Sequence, residues 1–434
     1  MPPAAQPDKR PNLDIGLVLS GGGARGAYEA GAMSIILPFL TKRGERPGII
    51  LGTSIGALNA GHLAATAHLP MLGCMDRLME VWREVRLSDI IGPLLSPLGA
   101  WRAASYVGGL LGIPQARVPA LLDTSPLPDL LNSIIDFDQI HANTDQELTA
   151  LAVIATSYAM GESVVFHEGP TGVAVESDVK RAIRYVPTRI DASHVEASAS
   201  IPMAFSSTYI STPGEVAGWY GDGGTRLNTP LKPTLKLGAK KVVVLGLNSS
   251  APPSVQEHGE PDIFDGGGQF LQALFADPLA QDVGTLASGN REVQLRDNPG
   301  DGIPDNAHEL IPYIFVAPRD RTTVGKLAAE VFKKHMTGVR AAIRARDLVA
   351  MGSFLGAGHS PVRGELFSLL FFATEFHNAL IDLGREDAER WLSLTHDDGP
   401  WRYGDPPLPD PIPAPAPLRR KATKRPRAKA ATAA

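Results

Sequence analysis

The chain has 434 residues, 44% apolar and 20% charged, enough for one large domain or two to three ordinary ones around a sizeable core. Its net charge of −5 hides an acidic body and a basic end, since seven Lys/Arg and no Asp/Glu follow Leu418. That balance argues against a nucleic-acid-binding domain, and none is expected. One cysteine, Cys74, excludes an intrachain disulfide, and the sequence shows neither a secretory apolar core at Met1–Asn12 nor a run of about 18 apolar residues. The expectation is a cytoplasmic protein, with peripheral membrane contact left open.

The first apolar run, Asp14–Leu19, suits a buried parallel strand. It leads into Ser20-Gly21-Gly22-Gly23-Ala24-Arg25-Gly26 and a helix pattern reaching about Leu40. Gly21-x-Gly23-x-x-Gly26 also fits a dinucleotide fingerprint, which requires an acidic residue at the end of the next strand. That strand ends in Leu51-Gly52-Thr53-Ser54 with no carboxylate, so dinucleotide binding is not expected.

Ile49-Ile50-Leu51 feeds Gly52-Thr53-Ser54-Ile55-Gly56, and a small-residue helix pattern runs from Ile55 to Leu69. Strand, sharp turn and helix form the context in which Gly-x-Ser-x-Gly presents a serine nucleophile, with glycines removing the Cβ atoms that would clash. Both glycine motifs end strands and start helices, so they meet beyond the carboxyl ends of a parallel sheet. Amides of Gly21, Gly22 and Gly23 beside such a serine make an oxyanion hole. Arg25 fits better as a partner of a core carboxylate that fixes the loop than as a charge in the site. Cys74 reads as a small buried residue in a helical stretch.

From Leu87 to Leu131, apolar pairs broken by Pro and Gly read as short apolar helices. They either pack on the core or form a lid or apolar rim touching a bilayer. Leu148–Tyr158 and Gly161–His167 read as a strand hairpin. His167 and His194 are candidate bases by type only and fit structural roles better. Ala197–Phe205 is a small-residue helix end, and Trp219-Tyr220-Gly221-Asp222-Gly223-Gly224 frames a carboxylate with glycines. Lys241–Leu247 and Tyr313–Val316 read as buried strands, a helix lies near Phe270, and 323–349 and 364–393 have helical periodicity. Crossovers between apolar strands imply a mainly parallel sheet covered by helices on both faces.

Ser20–Gly26, Gly52–Gly56 and Asp222–Gly224, with the small-residue segment Ala197–Phe205, resemble the patatin-like phospholipases over about residues 13–250. The resemblance implies a three-layer α/β fold and lipid acyl hydrolysis by a Ser–Asp dyad, with Ser54 as nucleophile and Asp222 as base. It implies Gly21, Gly22, Gly23, Ala24, Arg25 and Gly26 as the oxyanion loop, and Gly52, Thr53, Ile55 and Gly56 as the nucleophile turn. Gly223 and Gly224 complete the third motif. Ser20 stands where the family often has Asp, and Gly224 where it often has Ala.

No metal or other cofactor is required, and a lipid or phospholipid is the expected substrate. Three alternatives stay open: acyl transfer to an alcohol, a catalytically silent membrane module, and a Ser–Asp–His triad. The last would use one of His258, His308, His335, His359, His377 or His396. The expected organisation is a disordered segment 1–12, a catalytic domain 13–250 with a possible lid at 88–131, a mainly helical extension 251–404 and a disordered tail 405–434. The lid and the basic tail are the candidate membrane contacts; the oligomeric state is not legible.

Overall fold

The computed structural model of the protein describes residues 11–111, 113, 120–170, 175–249, 266, 277–296, 309–337, 343, 345–356, 361–394 and 399–406. The first ten residues, the neighbourhood of Phe270 and the basic tail, on which the sequence carries expectations, lie outside them.

In chain order the strands are β1 (Asn12–Leu19), β2 (Pro47–Thr53), β3 (Ala150–Ser157), β4 (Ser163–Glu168), β5 (Ile183–Pro187), β6 (Thr208–Ile210), β7 (Gly218–Asp222), β8 (Lys241–Leu245) and β9 (Tyr313–Val316). One sheet has the order β5-β4-β3-β2-β1-β8-β9, with the short β6–β7 ribbon attached to β3. The pairs from β3 through β2, β1 and β8 to β9 are parallel, while β4 and β7 run antiparallel to β3. The parallel strands are near-continuous apolar runs because both faces are covered; β2 is buried at every position. β5 and β6 give weak sequence signals: β5 carries Arg184 and Pro187, and β6 has three residues.

Helix α1 (Gly26–Lys42) follows β1, and α2 (Ile55–Ala65) follows β2. The residue pattern extends to Leu69, but the helix ends earlier, where the Thr66 hydroxyl donates back to the His62 carbonyl at 2.8 Å. Helix α3 (Met71–Glu84) buries Cys74. Then come α4 (Pro97–Leu110), α5 (Leu127–Ile134), α6 (Phe137–Asp145) and α7 (Ala192–Ala199). The short α8 (Gly224–Leu227) and α9 (Leu231–Lys236) lead into β8.

The later helices Thr323–His335, Arg346–Phe354, Pro361–Ser368 and Thr374–Ser393 match the expected helical character of this part. The last of them packs so closely on α1 that a Cβ at Gly31 would lie 2.2 Å from the Ile381 carbonyl oxygen.

Candidate active site

The turn between β2 and α2 places Ser54 at φ 54° and ψ −124°, a backbone region costing a non-glycine residue about 1–3 kcal/mol. Two features hold it there. A Cβ on Gly52 would lie 2.2 Å from the Gly56 carbonyl oxygen, and one on Gly56 would lie 2.5 Å from that of Leu19, so strand and helix close only over glycines. The Ser54 N–H donates to Ser198 Oγ at 2.9 Å, and the Ser198 hydroxyl donates to the Ile154 carbonyl at 2.5 Å. Ser198, on α7, thus ties the turn to β3.

The sheet register brings Asp222 to this turn. β2 pairs with β3 up to Thr53 opposite Ile154. One residue further along β3, Ala155 is opposite Asp222 of the antiparallel β7. β7 therefore takes the place beside β3 that β2 leaves where the chain turns at Ser54.

The end of α7 fixes the position, since Asp222 N–H donates to the Ser200 carbonyl at 2.8 Å and Gly223 N–H to that of Ser198 at 3.3 Å. Asp222 is 1% exposed. Its Oδ1 accepts the Gly224 N–H at 2.6 Å, and Oδ2 is buried with no hydrogen-bond partner. Burial lifts its pKa from 3.8 to about 7, against the opposing pull of the nearby Ser54 hydroxyl and the Gly224 amide.

In the glycine loop, Gly21 N–H donates to Asn228 Oδ1 at 3.0 Å, Ala24 N–H to the Leu369 carbonyl at 2.9 Å and Arg25 N–H to that of Gly22 at 3.3 Å. Gly26 N–H donates to the Gly23 carbonyl. The loop's own hydrogen bonds thus leave the amides of Gly22 and Gly23 uncommitted. Gly21, counted with them from sequence, spends its amide on Asn228.

Arg25 is buried. Its guanidinium pairs with Glu365 at 2.7 Å and also donates to Ser368 Oγ, Asn248 Oδ1 and the Glu365 carbonyl. Beneath the loop, Glu29 accepts the Ser20 N–H at 2.7 Å and Asn59 Nδ2–H at 2.9 Å, and Asn59 Oδ1 accepts Trp82 Nε1–H at 2.9 Å. With no cation paired to it among the described residues, Glu29 is pushed by burial to about 8.

Ser54 and Gly23 open into a narrow cleft. Apart from Ser54, its walls are apolar or glycine: Leu58, Trp82, Ile90, Leu131 and Phe205 are among them, and Leu369 and Phe372 close one side. No histidine among the described residues lines it or hydrogen-bonds to Asp222.

His377 is buried behind Trp82, where Nδ1–H donates to the Trp82 carbonyl at 2.7 Å and burial depresses its pKa to about 4. His194 is buried against Phe166 and bonded to Asp191. His167 lies on β4, its pKa lowered by burial, and His335 is exposed at a helix end. His258, His308, His359 and His396 lie outside the described residues.

Sequence reading brings Ser54, Asp222 and the glycine loop together but misses Ser198, Asn228, Glu29 and the 365–372 segment. Ser198 lies within the segment singled out as a helix end. The 365–372 segment carries no local signal, because it is recognisable only by what it touches.

The family model described as Patatin-like phospholipase matches residues 17–235. The chain belongs to the patatin-like phospholipase family. No curated protein matched in a sequence comparison. Among solved structures, human GIVD cytosolic phospholipase A2 is similar at 12% identity over 86% of this chain and 60% of that one, with a TM-score of 0.34. VipD from Legionella pneumophila is similar at 14% identity over 70% of this chain and 62% of that one, with a TM-score of 0.27. The chain thus spans about three fifths of the length of each.

Proposed function

We propose that the protein hydrolyses fatty-acyl esters of phospholipids or related lipids, with Ser54 as nucleophile and Asp222 as its base. The observation that carries this reading is a strained serine at an apolar cleft, beside a buried carboxylate whose pKa stands at about 7. A base poised near the working pH is what proton transfer from a hydroxyl requires. In this scheme Asp222 takes the Ser54 proton as Oγ attacks the ester carbonyl. The Gly22 and Gly23 amides receive the charge that develops on the carbonyl oxygen, a contribution of about 3–4 kcal/mol per donor in comparable sites. Collapse expels the alcohol, which takes the proton from Asp222. Asp222 then activates water on the acyl-enzyme, and the acyl chain occupies the apolar cleft throughout.

The geometry favours a two-residue site over a triad, because no described histidine reaches the carboxylate. The working unit on this reading exceeds residues 13–250, since Leu369, Phe372 and the Arg25–Glu365 pair complete the cleft and the loop.

The test is fatty-acid release from mixed phospholipid vesicles and from a short nitrophenyl ester, comparing wild type with Ser54→Ala and Asp222→Asn. Loss of both activities in both variants, with folding retained, supports the reading. Activity that survives Ser54→Ala removes it.

A further inference from the structure

Helix α4 is inside out. Its solvent-facing side consists of Pro97, Leu98, Ala100, Trp101, Ala103, Ala104 and Val107, without a charge and with a single polar side-chain atom, the Trp101 indole nitrogen. Trp101 is 57% and Val107 54% exposed. The polar side chains Ser105 and Tyr106 are turned toward the body, and Arg102, the one charged residue of the helix, pairs with Asp123 at 3.3 Å. A surface helix of a water-soluble domain shows the reverse arrangement. Leu95 extends the apolar surface just before the helix, and Leu121 carries it on beside Met203, to whose carbonyl it donates its N–H at 3.1 Å.

Residues on either side of this region in sequence line the cleft. Ile90 before it and Leu127 after it are cleft walls, and Met203 sits between the cleft residues Ile201 and Phe205. Arg102 of α4 pairs with Asp123, two residues from Leu121, so the exposed apolar helix lies near residues that flank the cleft holding Ser54.

We infer that the outward face of α4 is a membrane-docking surface that seats the mouth of the cleft on a lipid bilayer. The face has no charge to offer anionic head groups, so its binding comes from burying apolar side chains below the head-group level, with the Trp101 indole at the polar boundary. The occupant is a bilayer, zwitterionic or anionic alike, because the face carries no charge and a lipid must reach a serine only 4% exposed through a cleft whose other walls are apolar or glycine. This deepens the acyl-hydrolase reading by naming the surface that delivers its substrate. Adsorption itself does not depend on hydrolysis.

The test uses the full chain carrying Ser54→Ala, so that vesicles stay intact, in co-sedimentation with phosphatidylcholine vesicles. The protein partitions onto them, and raising the salt to about 0.5 M leaves partitioning unchanged, since screening acts on charges. Trp101→Ser with Val107→Ser lowers partitioning by about tenfold or more, and so does Ala100→Glu with Ala104→Glu, which keeps good helix formers at both positions.

On the Ser54 background, either pair of substitutions leaves cleavage of a short soluble ester unchanged. Four results overturn the inference: no partitioning, partitioning indifferent to both pairs, partitioning that requires anionic lipid and disappears in salt, or a dimer that either pair dissociates. The last would make the face a contact between two copies. Vesicle binding without ester cleavage by wild type would instead retain the surface and sink the hydrolase reading.

Discussion

Replacing Asp222 with Asn separates the stability of this fold from its chemistry. Burial holds the Asp222 carboxyl at about 7 where an exposed aspartate stands at 3.8, so the folded state binds its proton more tightly than the unfolded state. For an acid shifted upward, stability is fully present below the unfolded value and is lost as pH rises through the folded one, here between about pH 4 and 7. The shift of about three units corresponds to about 4 kcal/mol at pH 8.

Asparagine keeps an oxygen for the Gly224 amide and does not ionise. Asp222→Asn should therefore be inactive yet more stable than wild type at pH 8, by up to about 4 kcal/mol, with less than half of that gain left at pH 5. Urea unfolding of both proteins at the two pH values measures it. Ester cleavage by wild type should fall about tenfold for each pH unit below 7, as the base protonates. A stability gain over wild type that is no larger at pH 8 than at pH 5, or a flat rate profile from pH 5 to 8, refutes the reasoning.

Ser198→Ala deprives the Ser54 amide of its acceptor; it should cost about 1–3 kcal/mol in unfolding and lower kcat more than it raises KM, and an unaltered kcat counts against the role of Ser198. Glu365→Ala leaves Arg25 buried without its counter-ion, for which thermal unfolding should report a loss of about 3–5 kcal/mol; a loss under 1 kcal/mol contradicts the buried pair. Glu29→Gln mimics the neutral form favoured by a carboxyl pushed to about 8. Its stability relative to wild type should rise between pH 5 and 8 and then level off, and a constant difference across that range would show that Glu29 is ionised throughout.

The strands around the site were legible because parallel strands covered on both faces must be continuous apolar runs, as Leu17–Leu19, Ile49–Leu51 and Val242–Leu245 are. The two glycine turns were legible because close approach of backbones leaves no chemical alternative at Gly52 and Gly56 in one and at Gly23 in the other. That Ser54 and Asp222 face the same space required more, because their meeting depends on a register in which β7 follows β2 along one edge of β3. Nothing local in Gly218–Asp222 encodes that register. The clamp on the glycine loop was illegible for a related reason: Glu365 and Leu369 belong to an ordinary helix end, and their importance lies in Arg25 and Ala24, more than 300 positions earlier.

That separation gives the protein a timetable. The glycine loop, Ser54 and Asp222 leave the ribosome early, yet the loop's conformation rests on the Arg25–Glu365 pair and on the Leu369 carbonyl. Contacts across so many residues form after local ones, because the intervening chain must first be closed. A nascent chain halted after residue 360 would hold the serine and its neighbouring acid with the loop unclamped and one wall of the cleft missing. If the proposed function holds, the site is completed only once the 365–372 segment has been made, long after the residues that carry its chemistry.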